Sequence, residues 1–447
     1  MPPYHAGRYK DSENHRCTQR MSGGNCEAVE GVKELENSFF KGNRDALYET
    51  LAEGTVLVLF SGRELRKTAD EFYLFYASRN FVYLTGIDRK ECILAAEKRE
   101  GKLHEIIFVL EPDLLAERWT GTRLKDHEVG QISGVEDVRY VRQFDAYFSA
   151  LMKQGLYNTV ALDLYKHDPA DLDTEAFAFA AKVRQAYPHV VIENCLPQIR
   201  KQRTIKQQCE IEAMRQAVQI TRAGIEAMMK TSKPGMYEYE YRAEFLYALV
   251  QRGVIETAFP PIISAGNNNF CIHYYDYHGM AKDGDMILND VGARWDHVMN
   301  DVSRTFPCNG KFTEQQRLLY TCAYNTSEYM FGIIKPGMPM ADVDRIIREY
   351  NFRQLQAIGL CDRIEDVGKY MWHGGAHHVG FDTHDVVDMT MALQPGMVFC
   401  VDVGIYCEEW GIGFRLEDNC LVTDIGCDNL TASIPRTIAE IEGIMSR

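Results

Sequence analysis

The segment Lys-Pro-Gly-Met occurs twice, at 233–236 and 335–338, and each copy follows one helical pattern and precedes another. Asp290-Val291-Gly292 and Asp402-Val403-Gly404 then repeat in the same order, each inside an apolar, strand-like stretch. Pro and Gly interrupt a helix where they stand, so each Lys-Pro-Gly-Met marks a helix–turn–helix unit. Two ordered echoes about a hundred residues apart predict an internally duplicated α+β domain with pseudo-two-fold symmetry.

That duplication occupies the second half of the chain, and 447 residues leave room for more. At ~150 residues per domain the length allows two or three. Residues 1–35 read as a polar leader. Its His5, His15, Cys17 and Cys26 match no zinc-module spacing and read as a solvated tail. Between 36 and 200, TVLVLF (55–60), FVYLTGI (81–87), ECILAA (91–96), EIIFVL (105–110), TVALDL (159–164) and VVIEN (190–194) have strand character. Helical spacing appears at 144–154 and 174–186, so this segment reads as an α/β domain on a mixed or parallel sheet. The basic group Arg200, Lys201, Arg203 and Lys206 reads as a domain linker opening a solvated helix near Lys206. The expected division is a leader (1–35), an N-terminal domain (36–200) and the duplicated domain (201–447).

Charge and cysteine usage exclude several function classes. Lys plus Arg is 49 and Asp plus Glu 64, a net charge of −15. Phosphate neutralisation needs the opposite balance, so no nucleic-acid role is expected. No apolar run approaches the ~18 residues of a membrane span. Thirteen cysteines include no CxxC pair, and the N-terminus lacks the apolar core of a signal peptide. Reduced thiols and a cytoplasmic location are the expectation.

Acidic side chains avoid strand interiors, so those inside apolar runs are informative. Asp290 lies in MILNDVGARW and Asp301 in HVMNDVSRTF. A two-residue turn at Trp295-Asp296 makes a hairpin in which these carboxylates oppose each other, about 5 Å apart at Cβ. Like charges that close require a cation between them or a proton on one. A second concentration is His373, His377, His378 and His384, with Gly374, Gly375 and Gly380 among them. Gly374 stands where a helical HExxH zinc site has its Glu, and the glycines favour a loop that brings imidazoles to a cleft. Asp402 sits in MVFCVDVGIY, and Arg415, Glu417 and Asp418 in GIGFRLEDN. Carboxylates with a single imidazole, His377, suit manganese, cobalt, iron or zinc, commonly as a bridged pair. No GxxxxGK[ST], GxGxxG or GxSxG pattern supports phosphate-cradle or serine-hydrolase chemistry.

Five ordered segments together carry a resemblance: ADEFYLFYASRNFVYLTGI with ERWTGTRL, NDVGARWDHVMNDVSRTFPCNGKFT, HGGAHHVGFDTHD, LQPGMVFCVDVGIY and GIGFRLEDN. From about residue 38 onward the chain resembles the pita-bread metallopeptidases of the aminopeptidase P and prolidase type. The resemblance implies a creatinase-like α/β N-terminal domain followed by a pita-bread α+β catalytic domain. It also implies two divalent metal ions, manganese before cobalt, zinc or iron, held by Asp290, Asp301, His377, Asp402 and Glu417. In the same pattern His273 contacts the peptide, and His373 and His384 hold the substrate carbonyl. Arg415 and Tyr406 line the proline side. The implied reaction is hydrolysis of the N-terminal bond of peptides with proline in the second position, by a homodimer or larger assembly. Trp119 is a candidate interface or pocket aromatic.

One position departs from the family pattern. Asp402-Val403-Gly404 stands where the family reads Glu-Pro-Gly, and aspartate is shorter by one methylene, ~1.5 Å. Three readings accompany it: a compensating shift of the strand, a loosely held metal, or reduced activity. The alternatives at this point are a prolidase-like dipeptidase and a weakly active or non-catalytic binding protein on the same fold.

Overall fold

Thr55–Phe60 is the strand expected of TVLVLF, and its near-continuous burial makes it central in a sheet covered on both faces. The structure is a computed structural model that describes residues 35–446, so His5, His15, Cys17 and Cys26 lie outside the described residues. The six-stranded sheet has the spatial order Val138–Tyr140, Lys102–Val109, Ile93–Arg99, Thr55–Phe60, Thr159–Leu162, Val191–Asn194. It is mixed: Thr55–Phe60 runs parallel to Thr159–Leu162 and antiparallel to Ile93–Arg99. Val56 and Val58 pack on one face with Phe144, Phe148 and Val183 of the helices Phe144–Lys153 and Glu175–Ala186. Leu57 and Leu59 point the other way, into a core shared with Val379, Phe381, Val398 and Cys400 of the second half. Phe381 stacks on Phe39 and meets Tyr83 edge-on, which anchors the histidine-rich loop against the N-terminal sheet.

FVYLTGI is not a strand. Arg79–Thr85 is a helix, started by Ser78, whose hydroxyl accepts from the Phe81 N–H, and stopped by Gly86 at φ 71°. Every residue of it is buried, and a short apolar run carries no periodicity to separate strand from helix. The basic group is not a solvated linker either. Leu196–Thr204 is helical, and Arg203 and Lys206 are 1% and 5% exposed. Arg203 bonds Asp382 at 2.6 Å and also Asp385, while Lys206 bonds Asp385 at 2.5 Å. The sequence shows the cations but not the acidic partners that follow 180 residues later.

Both Lys-Pro-Gly-Met segments are turns between helices. Gln208–Thr231 and Glu238–Val250 flank the first Lys-Pro-Gly-Met, and Glu314–Ile333 and Met340–Ala357 flank the second. Gly235 and Gly337 have φ of 91° and 86°, a region open to glycine. Each donates its N–H at 2.8 Å, to the carbonyls of Ala281 and Leu393 respectively. Each helix pair is followed by a three-stranded sheet, one ordered Val302–Pro307, Met286–Val291, Ile262–Ala265 and one Val398–Cys407, Ile412–Val422, Cys427–Asn429. This is the pattern expected of a pita-bread domain.

The hairpin between the two aspartates is shifted from the expected register. Trp295 pairs with Val298, so the turn is Asp296-His297, with φ of 46° and 71°. Two left-handed central residues match the twist of the flanking strands. Asp290 is therefore opposite Ser303, not Asp301. The change amounts to two residues in pairing, so both carboxylates keep the same face. Gly292 admits the crossing, because a Cβ there would collide with the Asn300 carbonyl.

Candidate active site

Strands Val398–Cys407 and Ile412–Val422 are buried throughout, and their register assigns side chains to faces. Cys400 pairs with Asn419, Asp402 with Glu417, Gly404 with Arg415 and Tyr406 with Gly413, and these alternate residues share one face. The opposite face carries Phe399, Val401, Leu416 and Asp418. Asp418 is completely buried and held by Arg304 at 2.7 Å and Arg436 at 3.1 Å, so it serves the core.

The sheet containing Asp290 lies against this face. Ser303 donates its hydroxyl to Glu417 Oε2 at 3.0 Å, and Thr305 Oγ1 donates to the Arg415 carbonyl at 3.1 Å. Asn419 donates to the Asp301 carbonyl at 2.6 Å and accepts from the Asp301 N–H at 3.3 Å, fixing that residue just before its strand. His377 comes from the loop: its carbonyl accepts from Cys400 N–H at 2.7 Å. Its Nε2 lies 3.3 Å from Glu417 Oε1 and 3.6 Å from Asp301 Oδ2.

Asp290, Asp301, His377, Asp402 and Glu417 thus lie close enough to act on one another's charge. Arg415 Nη2 donates to Asp290 Oδ2 at 2.9 Å, and its Nη1 donates to the Ile272 carbonyl and to Tyr406. Tyr406 stacks on Trp372, with ring centroids 4.5 Å apart. His373 Nδ1 is 3.1 Å from Asp402 Oδ2, and its Nε2 is 3.1 Å from the Tyr406 hydroxyl. The His384 ring is 4.1 Å from that of His377, whereas His273 is exposed at the rim beside Tyr275.

Burial, then Glu417 and Asp290, push Asp301 well above the usual carboxyl range. Asp290 is raised by burial and Glu417 against the pull of Arg415. Burial lowers the His373 imidazole, but Asp402 more than offsets this and holds it at about 9. His384 is lowered by burial and by His377. Asp290 Oδ1, Asp301 Oδ1 and Asp402 Oδ1 are buried without a hydrogen-bond partner among the described residues. Clustered carboxylate oxygens that meet no donor are costly unless a cation joins them, so the donor set fits divalent metal. A separate cavity of about 730 Å³ opens between Phe60, Asp163 and Arg203, and none of the five converging residues lines it.

The aminopeptidase P N-terminal domain model matches residues 40–160, and the metallopeptidase family M24 model matches 212–424. A Bacillus anthracis structure assigned as an aminopeptidase P is 35% identical, with TM-score 0.90 over 92% of this chain and 98% of that one. The chain belongs to metallopeptidase family M24. It is a metallopeptidase of the aminopeptidase P type. The Xaa-Pro aminopeptidase of Escherichia coli is 28% identical over 93% of this chain and 99% of its own length. Human Xaa-Pro aminopeptidase 3 is 28% identical over 94% and 88% respectively. No helix among the described residues is long and apolar enough to cross a membrane.

Three residues of this M24 site escape a reading of charged side chains alone. Cys400 is fully buried on the strand face it shares with Asp402, Asn419 links two strands, and Gly404 leaves the space His373 fills. The period of two was the available signal, since 400, 402 and 404 share a face of one strand.

Proposed function

We propose that this M24 protein removes the N-terminal residue from peptides with proline in the second position. The observation that carries this reading is the convergence of Asp290, Asp301, His377, Asp402 and Glu417, with Asp290 Oδ1, Asp301 Oδ1 and Asp402 Oδ1 accepting no hydrogen bond among the described residues. These five residues would hold two divalent ions, with manganese the first candidate and cobalt, zinc or iron behind it. Such ions, when bound, polarise the scissile carbonyl and acidify the attacking water.

The remaining work falls to the chain. Asp402 Oδ1 accepts the proton of the attacking water and returns it to the leaving imine nitrogen. His384 donates to the carbonyl oxygen as it gains charge, and His373 Nε2 exchanges the Tyr406 hydroxyl for that oxygen. Arg415 and Tyr406, locked together, wall the proline side. His273 at the rim meets the incoming peptide. The same reading divides the chain near residue 200 into an N-terminal domain (36–200) and a catalytic domain (201–447). It includes a homo-oligomer, for which Trp119 is 84% exposed, and a cytoplasmic location.

The test is release of the first residue from an Xaa-Pro-Yaa peptide by chelator-treated protein resupplied with metal. Release with manganese, cobalt or zinc supports the reading, and none with any of them at saturation overturns it. Cleavage confined to dipeptides would favour a prolidase-like activity instead. The pairing of Asp402 with His373 favours one second reading, a weakly active enzyme whose shortened carboxylate is diverted from metal. Metal content by mass spectrometry below one tightly held ion per chain would select it.

A further inference from the structure

Cys400 has no part in the chemistry above, yet it lies inside the cluster. Its Sγ and one donor atom each from Asp301, His377 and Glu417 all fall within 4.8 Å of one another. Asp290 and Asp402 are outside this compact set, each with one carboxylate oxygen turned to another partner, Arg415 and His373. Cys400 is fully buried, and its sulfur accepts from Asn419 Nδ2 at 3.3 Å. A buried free cysteine is commonly just a small apolar side chain. Three carboxylate and imidazole donors around its sulfur distinguish this one from Cys407, on the opposite face of the same strand.

We propose that Cys400 Sγ is a metal ligand, giving one of the two cation positions a sulfur donor and a preference for zinc or cobalt over manganese. The inference rests on the metal-centre reading above. Two carboxylates, one imidazole and one thiolate form a four-donor set of the kind tetrahedral zinc accepts, whereas manganese favours oxygen-rich, octahedral surroundings. As the metal–sulfur bond forms, the S–H bond breaks and its proton passes to solvent. The other position keeps oxygen donors and the manganese preference of the reading above. The centre is therefore built for two unlike ions.

Metal-free protein titrated with one equivalent of Co²⁺ is expected to develop an intense near-ultraviolet sulfur-to-cobalt band, absent in Cys400→Ser and Cys400→Ala. Zinc affinity, measured by competition, should fall roughly tenfold or more in both variants. Because a buried substitution can impair folding, wild-type protein with one equivalent of zinc provides an independent reading. X-ray absorption should show a sulfur neighbour at about 2.3 Å. Cobalt binding with visible bands but no Cys400-dependent sulfur band, or a zinc shell of only nitrogen and oxygen, overturns the proposal and leaves the metal-centre reading intact. Failure to take up either ion overturns both.

Discussion

His373 Nδ1 lies 3.1 Å from Asp402 Oδ2, and the contact depends on residue 404 having no side chain. Gly404 follows Asp402 by two on the same strand face, and a Cβ there would fall inside the His373 ring. The glycine lets an imidazole lie flat on the strand, between the carboxylate and the Tyr406 hydroxyl. The shortened acid at 402 is thus held by a partner delivered from the histidine-rich loop. Its free oxygen, Oδ1, has none.

Gly404→Ala should displace His373 and leave Asp402 without its imidazole partner. Misplacement of about 1 Å costs on the order of a hundredfold in rate. We expect kcat to fall by roughly that factor while metal content per chain, read by mass spectrometry, stays unchanged. Retained kcat would show that His373 does not act on the substrate.

Asp402→Glu restores the ~1.5 Å of reach that the family pattern provides. The longer carboxylate can reach past His373 to the cluster, so kcat/KM for an Xaa-Pro-Yaa peptide should rise by roughly tenfold or more, with tighter metal retention. An unchanged value with the same metal would mean that the strand has already compensated.

Asp301→Asn should separate stability from activity. Burial, Glu417 and Asp290 all disfavour the charged form of Asp301, so an ionisable acid at this position costs the metal-free protein stability. Removing the charge should raise the melting temperature of the metal-free form, by roughly 1–3 °C, while abolishing hydrolysis. Metal should then raise the melting temperature of the wild type far more than that of the variant. A variant less stable than wild type in the absence of metal would contradict this account of the cluster.

Asp385, next to His384 in the histidine-rich loop, predicts a pH dependence of stability. Burial alone raises a carboxyl, but Arg203 and Lys206 reverse this and hold Asp385 at about 2. The unfolded value is ~3.9, so the folded state favours the ionised form. The stability it contributes, about 2–3 kcal/mol, is present above ~3.9 and is lost as pH falls from there toward 2. Asp385→Asn leaves Arg203 and Lys206 buried with less negative charge, a cost of about 3–5 kcal/mol near neutrality. Melting temperatures of wild type and variant should therefore lie far apart at pH 6, with the gap roughly halved near pH 3 and narrowing further toward 2. A gap that stays constant with pH would remove the ion triad as its cause.

Amino-acid order alone made legible whatever depends on neighbours along the chain. The paired Lys-Pro-Gly-Met turns, the strand at Thr55–Phe60 and the acids stranded in apolar runs at Asp290, Asp402 and Glu417 are local patterns. Local sterics and alternation specify them wherever the segment ends up. What needed tertiary structure were choices between locally equivalent options. FVYLTGI is apolar on every side, so only its capping residues and its burial against Phe39 and Phe381 made it a helix. The hairpin register moved because Asp296 and His297 took the left-handed turn, an outcome two ordinary turn residues do not announce. Arg203 and Lys206 look solvated until the loop holding Asp382 and Asp385 returns to cover them. Cys400 is the sharpest case: among the cysteines of the described residues it is set apart by what the fold places around its sulfur. Coordination and desolvation are properties of surroundings, and surroundings are assembled from residues that the sequence keeps about a hundred positions apart.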